Sequence, residues 1–212
     1  MNGDIKIMFM RHGRSRADDE NVIEGRYDAP LTDVGREQAK ARAQELKSRE
    51  ITFDRIIASP LKRACETAQI AGNILGVSVE FDEDWMEKDN GPIAGLPHQV
   101  ARARYPLPDF HNPFQPHVVS ADAGESAWAF HCRAARALEK VIRLGSGRYL
   151  VVAHGGILNA TLRCIVGAQP PVSGQGIEFS FGDTGYIQTL YKPDQHLWVI
   201  REFVSGFRVE NT

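Results

Sequence analysis

Hydrophobic positions along the chain alternate between two periods. Residues 5–10, "IKIMFM", form an apolar run of the kind expected for a strand buried on both faces, and it ends in Arg11, His12 and Gly13. In "PLTDVGREQAKARAQELKSR" (30–49) the period lengthens: Ala39, Ala43 and Leu46 recur at helical spacing while Arg36, Lys40 and Lys47 stay outside, with Thr32 as the N-cap. "DRIIASP" (54–60) predicts a short second strand. After it comes a helix with Ser59 as N-cap, Pro60 at the first helical position, and Ala64, Ala68, Ala71 and Leu75 as the buried stripe. "VSVEF" (77–81) predicts a third strand. A long helix is expected over about 125–144, with Ala127, Phe130, Ala134, Leu138 and Val141 on one face. "GRYLVVAHGG" (147–156) repeats the opening pattern, a buried strand, then histidine, then glycines that begin a helix through Ile157, Leu162 and Ile165. "IEFSF" (177–181), "GYIQTLYK" (185–192) and "LWVIREFV" (197–204), separated by turn residues, predict strands that complete the sheet.

This alternation predicts an α/β fold, a three-layer sandwich in which helices cover both faces of a mainly parallel central sheet. No repeat or linker divides residues 1–212, a length suited to one large domain that buries about 70% of its unfolded surface. Sites in such sheets lie beyond the carboxyl ends of the strands, and polar clusters follow the first strand, the second, and "YLVVA". The stretch 97–122, rich in proline, aromatics and histidine, predicts a long covering segment with one short helix, where substrate selection would reside. Arg102, Arg104, Tyr105, Phe110 and Phe114 are its candidate contacts.

Composition narrows the choice without deciding it. Hydrophobic residues at 42% and charged residues at 25% are ordinary for globular proteins and exclude a disordered chain. The apolar runs are too short for a bilayer span. Asp4 and Lys6 ahead of a brief apolar stretch do not have the layout of a secretory signal, so a cytoplasmic protein is expected. Cys65, Cys132 and Cys164 lie far apart, which suits reduced core thiols better than disulfides or a zinc site. His98, His111, His117, His131 and His196 show no metal-ligand spacing and are read as loop or surface residues. A net charge of -2 gives no general attraction to nucleic acid, so any positive site must be local.

The local positive site is the "RHGRSR" that ends the first strand. Arginine carries a planar, permanently charged fork of donors, so Arg11 and Arg63 converging from two strand ends would clamp the oxygens of a phosphoryl group. Phosphoryl transfer needs positioning, charge stabilisation and an in-line nucleophile. His12, kept neutral by neighbouring cations, offers a lone pair for that attack. His154, followed by Gly155 and Gly156 at a helix start, supplies a further donor, with backbone amides and the helix terminus adding positive potential.

These motifs together resemble the histidine phosphatase superfamily, also called the phosphoglycerate mutase-like family. The resemblance rests on "RHGRS" (11–15), "PLTDVGREQA" (30–39), "SPLKRACETA" (59–68), "MEKDNGPIAG" (86–95), "GES" (124–126) and "HGG" (154–156), in family order and framing roughly four fifths of the chain. It implies a single phosphoglycerate mutase-like domain over 1–212. It also implies that His12 forms a phosphohistidine, that Arg11, Arg63 and His154 bind the transferred group, and that Glu87 is the proton donor. Ser15 and the amide of Gly155 are expected to add hydrogen bonds to the phosphoryl oxygens. No metal and no cofactor is implied, guanidinium groups taking the place a magnesium ion occupies in other phosphoryl-transfer sites.

The chain departs from the family pattern at the pocket. Arg14 stands where many members have glutamate, and Asp18 where asparagine is common. Arg14 is expected to favour a substrate with a second anionic group, and Asp18 removes an amide that would donate to phosphate. Three functions fit: a histidine acid phosphatase-type phosphomonoesterase acting on a small phosphorylated metabolite, a cofactor-dependent phosphoglycerate mutase-type phosphotransferase, or a catalytically silent phosphate-binding domain. Family members that act as mutases resemble longer chains with a larger insertion ahead of "GES", so the short interval from Gly95 to Gly124 favours hydrolysis. The expected partner is a small-molecule phosphate ester, not nucleic acid and not a membrane; nothing in the sequence sets the oligomeric state.

Overall fold

A computed structural model gives the architecture and describes residues 3–106, 112–114, 124–171 and 176–207. Six strands form one sheet: β1 (Ile5–Arg11), β2 (Arg55–Ala58), β3 (Val79–Phe81), β4 (Gly147–Ala153), β5 (Tyr186–Lys192) and β6 (Leu197–Val204), in the order β3-β2-β4-β1-β5-β6. Strands β3, β2, β4 and β1 run parallel, and β5 and β6 extend the sheet antiparallel. The helices are α1 (Arg16–Glu20), α2 (Asp33–Ser48), α3 (Lys62–Leu75), α4 (His98–Arg104), α5 (Ala127–Arg143) and α6 (Gly155–Val166).

The period-2 geometry of the central strands creates the two cores. Met8 and Met10 of β1, with Ile56, Ala58, Leu150 and Val152, face α2 and α3 and bury Ala43, Leu46, Ala64, Ala68 and Ala71. Ile7 and Phe9, with Ile57, Val151 and Ala153, face α5 and α6 and bury Phe130, Ala134, Leu138, Val141, Ile157 and Leu162. The helical stripes expected from the sequence are buried except for Leu75 and Ile165, which pack at the core margin, and Ala127, which lies half-buried outside both cores; the layers are those of a three-layer sandwich. Thr32 caps α2 as expected, its Oγ1 accepting the Gly35 N–H at 3.0 Å.

Two elements differ from expectation. Helix α3 begins at Lys62, so Ser59 and Pro60 precede it, and the Ser59 hydroxyl is engaged by His154 at 2.8 Å. "IEFSF" is not a strand, because side chains have claimed its backbone. Asn159 exchanges two hydrogen bonds with Phe179, at 2.7 and 2.9 Å, while Arg163 donates to Ile177 O and Arg11 to Phe181 O. Of the covering segment, α4 is the expected short helix; 107–111 and 115–122, including Phe110, His111 and His117, lie outside the described residues. The exposed edge strand β6 carries an irregularity opposite Gln188/Thr189 that leaves Arg201 without a ladder partner, a feature that discourages edge-to-edge pairing. Among the described residues no helix is long and apolar enough to cross a membrane.

Candidate active site

Strand register brings the three polar clusters together. Arg11 pairs with Ala153 across β1 and β4, and Ala58 with Val152 across β2 and β4, so the residues after all three strands emerge at one sheet edge. His12, Ser59, Arg63 and His154 are all fully buried there. Arg63 Nε–H donates to His12 Nε2 at 3.1 Å, and the two imidazole centroids are 5.1 Å apart.

The loop carrying His12 is held by backbone contact. A Cβ on Gly13 would collide with Gly35 O, and one on Gly35 with Arg14 O, so glycine at both positions lets the loop lie directly on the start of α2. The Gly13 N–H donates to Thr67 Oγ1 at 3.1 Å. His12 Nδ1 faces Gly13 O at 2.7 Å, and because a carbonyl only accepts, Nδ1 bears the proton and Nε2 keeps its lone pair. Burial, then the Arg63 and Arg11 guanidinium groups, push His12 well below the usual histidine range. His154 is lowered likewise by burial, then by Arg63 and its other neighbours. Desolvation is therefore the largest single cause that keeps both rings neutral.

Both arginines do structural as well as electrostatic work. Arg63 donates from Nη1 to Tyr27 O at 2.9 Å and from Nη2 to Gly25 O at 2.8 Å, so its fork grips the 25–27 turn while its Nε edge faces His12. Arg11 donates to Phe181 O at 3.0 Å and has Asp18 at 3.5 Å and Asp183 at 3.9 Å from Nη2. Arg63→Lys keeps the charge but leaves these buried carbonyls without partners. It is expected to cost on the order of 2–4 kcal/mol of stability together with most of the activity, readable by urea unfolding beside an activity assay. A lysine variant with wild-type unfolding would show that the two carbonyls are not held by this side chain.

Glu87 is joined to the site through the start of α6, two residues beyond His154. Its Oε2 accepts from Gly156 N at 2.8 Å at the start of α6, and its Oε1 from Lys88 N at 2.7 Å. A side chain on Gly156 would run into that carboxylate, which explains the second glycine of "HGG". Arg133 of α5 fixes the supporting loop, donating to Asp84 O, Met86 O and Glu87 O at 2.9, 2.6 and 3.1 Å and forking onto Glu125 with two bonds of 2.7 Å. Burial raises Glu125, but the Arg133 hydrogen bonds, the Asp89 N–H and the charges of Arg133 and Arg26 together outweigh it and hold the carboxyl below its usual range. Arg133→Met is expected to lower turnover about tenfold or more while KM changes little, since it frees Glu87 without touching the anion site. Equal losses in turnover and stability, with KM raised, would mark Arg133 as a general structural support only.

The remaining expected residues occupy the α1 side. Ser15 N–H donates to Asp18 Oδ2 at 2.7 Å, and Ser15 Oγ lies 2.9 Å from Asp18 Oδ2 and 2.6 Å from Glu24 Oε1. Asp18 thus holds the start of α1 and faces Arg11. Arg14 is paired with Asp19 at 2.7 Å. Gly155, at the first turn of α6, has open space where a Cβ would stand. Sequence reasoning missed Glu24, whose Oε2 is 3.9 Å from His12 Nε2 and whose Oε1 is 3.6 Å from Arg63 Nε. It also missed Ser59, read as a cap, and Arg133 with Glu125, for which the only signal was the "GES" motif. A cleft of about 560 Å³ opens beside this cluster, lined in part by Arg11, Arg14, Asp18, Glu24, His98 and Asp183.

Both mutases and phosphatases stand among the proteins this chain is similar to. The chain is 34% identical over 160 residues to a phosphoglycerate mutase-like protein 4 of Arabidopsis thaliana, covering 73% of this chain and 68% of that one. It is 31% identical over 171 residues to a 2,3-bisphosphoglycerate-dependent phosphoglycerate mutase of Mesorhizobium japonicum, covering 76% and 81%. That mutase is therefore about as long as this chain, so the short interval before "GES" does not by itself separate hydrolase from mutase. A mycobacterial glucosyl-3-phosphoglycerate phosphatase in complex with VO3 has the same fold, with a TM-score of 0.77 at 23% identity over 95% of this chain and 99% of that one. The model of the histidine phosphatase superfamily (branch 1) matches residues 7–200, and the chain belongs to that superfamily.

Proposed function

We propose that the protein is a phosphomonoester hydrolase of histidine acid phosphatase type, metal-independent and cytoplasmic, that acts on a small phosphorylated metabolite through a phosphohistidine. The observation that carries this reading is the fixed tautomer of His12: Nδ1–H is tied to Gly13 O at 2.7 Å, leaving a buried, neutral Nε2 beside the Arg63 guanidinium. In the first step the Nε2 lone pair exchanges the Arg63 Nε–H that it accepts for a bond to phosphorus as the ester P–O bond breaks, the freed Nε–H turning to a phosphoryl oxygen, and Glu87 gives its proton to the departing alkoxide. In the second, Glu87 takes a proton from water, whose oxygen displaces the Nε2–P bond and releases inorganic phosphate. Arg11 and Arg63 balance the charge on the phosphoryl oxygens.

His154 supports the same reading. Ser59 Oγ lies 2.8 Å from His154 Nε2 and accepts the Leu61 N–H at 3.3 Å; with the Ser59 proton turned to Nε2, the ring proton sits on Nδ1 and makes it a donor. Among the described residues Nδ1 is buried with no hydrogen-bond partner, and a phosphoryl oxygen beside His12 would satisfy it. Hydrolysis is favoured over mutase chemistry because the cations of the neighbouring cleft are already faced by acids: Arg11 by Asp18 and Asp183, Arg14 by Asp19. A bisphosphorylated intermediate would need cations to spare. Multiple-turnover release of phosphate from a panel of phosphorylated metabolites, without interconversion of phosphoglycerate isomers, tests the proposal. Isomer interconversion exceeding phosphate release would establish the mutase, and no reaction at all with any ester would leave a silent binding domain.

A further inference from the structure

Glu24 puts a carboxylate where an incoming phosphoryl group must lie. An oxygen on a phosphorus attacked by His12 Nε2 stands about as far from that nitrogen as the reacting atoms stand from one another, on the order of 3–3.5 Å. Glu24 Oε2 is already 3.9 Å away. The side chain has little reason to leave, because Oε1 accepts the Ser15 hydroxyl at 2.6 Å and lies 3.6 Å from Arg63 Nε. Its backbone is pinned on the following residue, Gly25 O being gripped by Arg63 Nη2 at 2.8 Å. A Cβ on Gly25, which sits at φ 48°, would collide with Asn90 and the Lys88 carbonyl.

The charges facing Glu24 do not favour a second dianion. From β1 and its loop come Arg11, neutral His12 and Arg14; from α1, Asp18; from α3, Arg63; and His98 stands at the rim of the shared cleft. Arg14 is spent on Asp19, and Arg11 has Asp18 and Asp183 within 3.9 Å. Two acidic oxygens forced into contact in a desolvated site share one proton, as paired carboxylates do. A phosphate monoester is a ready source, since its second ionisation falls near pH 6.

We propose that Glu24 makes phosphoryl binding proton-coupled: the pocket takes up the phosphoryl group together with one proton, held between the Glu24 carboxyl and a phosphoryl oxygen. This rests on the reading of the site as a phosphoryl pocket, and it identifies the preferred ligand as a phosphoryl group in its singly protonated state. Affinity for inorganic phosphate then falls about tenfold for each pH unit above neutrality, whereas an amide at position 24, which can donate to a dianion, removes that slope.

The test is calorimetric titration of the full chain with inorganic phosphate at about pH 8, where phosphate is largely the dianion, in two buffers of different ionisation heat. Wild type is expected to take up about one proton more than Glu24→Gln, and the variant to bind about 10-fold to 100-fold tighter at this pH and about equally at pH 5. Equal proton counts in the two proteins, whatever the change in affinity, would overturn the proposal by showing that the carboxylate turns aside. Glu24→Ala repeats the proton count if the glutamine variant does not fold. Absence of phosphate binding in wild type, with His12→Ala equally silent, would instead overturn the phosphoryl pocket itself, and this inference with it.

Discussion

Replacing His12 with alanine is expected to lower phosphoester turnover by on the order of 10⁴-fold or more, with the fold retained. The side chain is buried and makes two bonds, to the adjacent Gly13 carbonyl and from Arg63 Nε–H; because Arg63 keeps its bonds to Tyr27 O and Gly25 O, alanine leaves a small void and one unpaired Nε–H. Rapid quenching of wild type with a labelled ester, held alkaline to preserve a phosphoramidate, should trap label on the protein; the variant should trap none. A variant retaining more than about a tenth of the activity would remove His12 from the chemistry. The pH dependence has a definite sign. His12 and His154 are both lowered, chiefly by burial, so the neutral nucleophile persists on the acid side of the ordinary histidine range. Unfolding frees both rings to bind protons below about pH 6.5, so their contribution to stability is complete above that pH and is lost as pH falls beneath it. His12→Ala should weaken this decline, which urea unfolding at pH 5 and pH 7 would measure.

Glu87→Gln should slow hydrolysis of alkyl phosphates by about 10²- to 10⁴-fold, and that of aryl phosphates, whose leaving groups need no proton, far less. The contrast between leaving groups matters because glutamine also perturbs the hydrogen bonds around it. Both carboxylate oxygens accept backbone N–H groups, from Gly156 and Lys88, and an amide can accept only one of the two. A purely structural defect would lower both rates equally. Equal losses would therefore transfer the proton relay to Asp84 or Asp89. Asp84 is the weaker of these rivals, since Arg136 and Lys140 hold it down to about 2.

The parts of this protein legible in its sequence are those where one local rule acts alone. The apolar runs that became β1, β2 and β4 admit no alternative, and short motifs immediately beyond them could only emerge at the same sheet edge. Arg11, His12, Arg63 and His154 were found for that reason. "IEFSF" has equally good strand character, yet Asn159, Arg163 and Arg11 capture its carbonyls and amide from outside, and no local pattern announces such capture. Ser59 reads as a helix cap by type and position, and only the arrival of β4 beside β2 gives its hydroxyl a histidine to meet. Glu24 and Arg133 were invisible because each acts on residues brought near by folding, and a lone acid or arginine is ordinarily a solvated charge. Guanidinium groups proved the least readable: the forks of Arg11 and Arg63, expected to close on a phosphoryl group, also tie down the turns around it.

The strand order carries a consequence for how the protein comes into being on the ribosome. β4 lies between β2 and β1, so a nascent chain ending between residues 68 and 146 contains Arg63 and His12 but lacks the strand that joins β1 to β2 and the His154 ring that faces His12. Such a chain also presents two apolar strands with unsatisfied flanks, the condition under which chaperones are recruited. Catalytic competence should therefore appear abruptly late in synthesis, and stalled chains released after about 150 residues should be inert and prone to aggregate, while those that include β5 should be active.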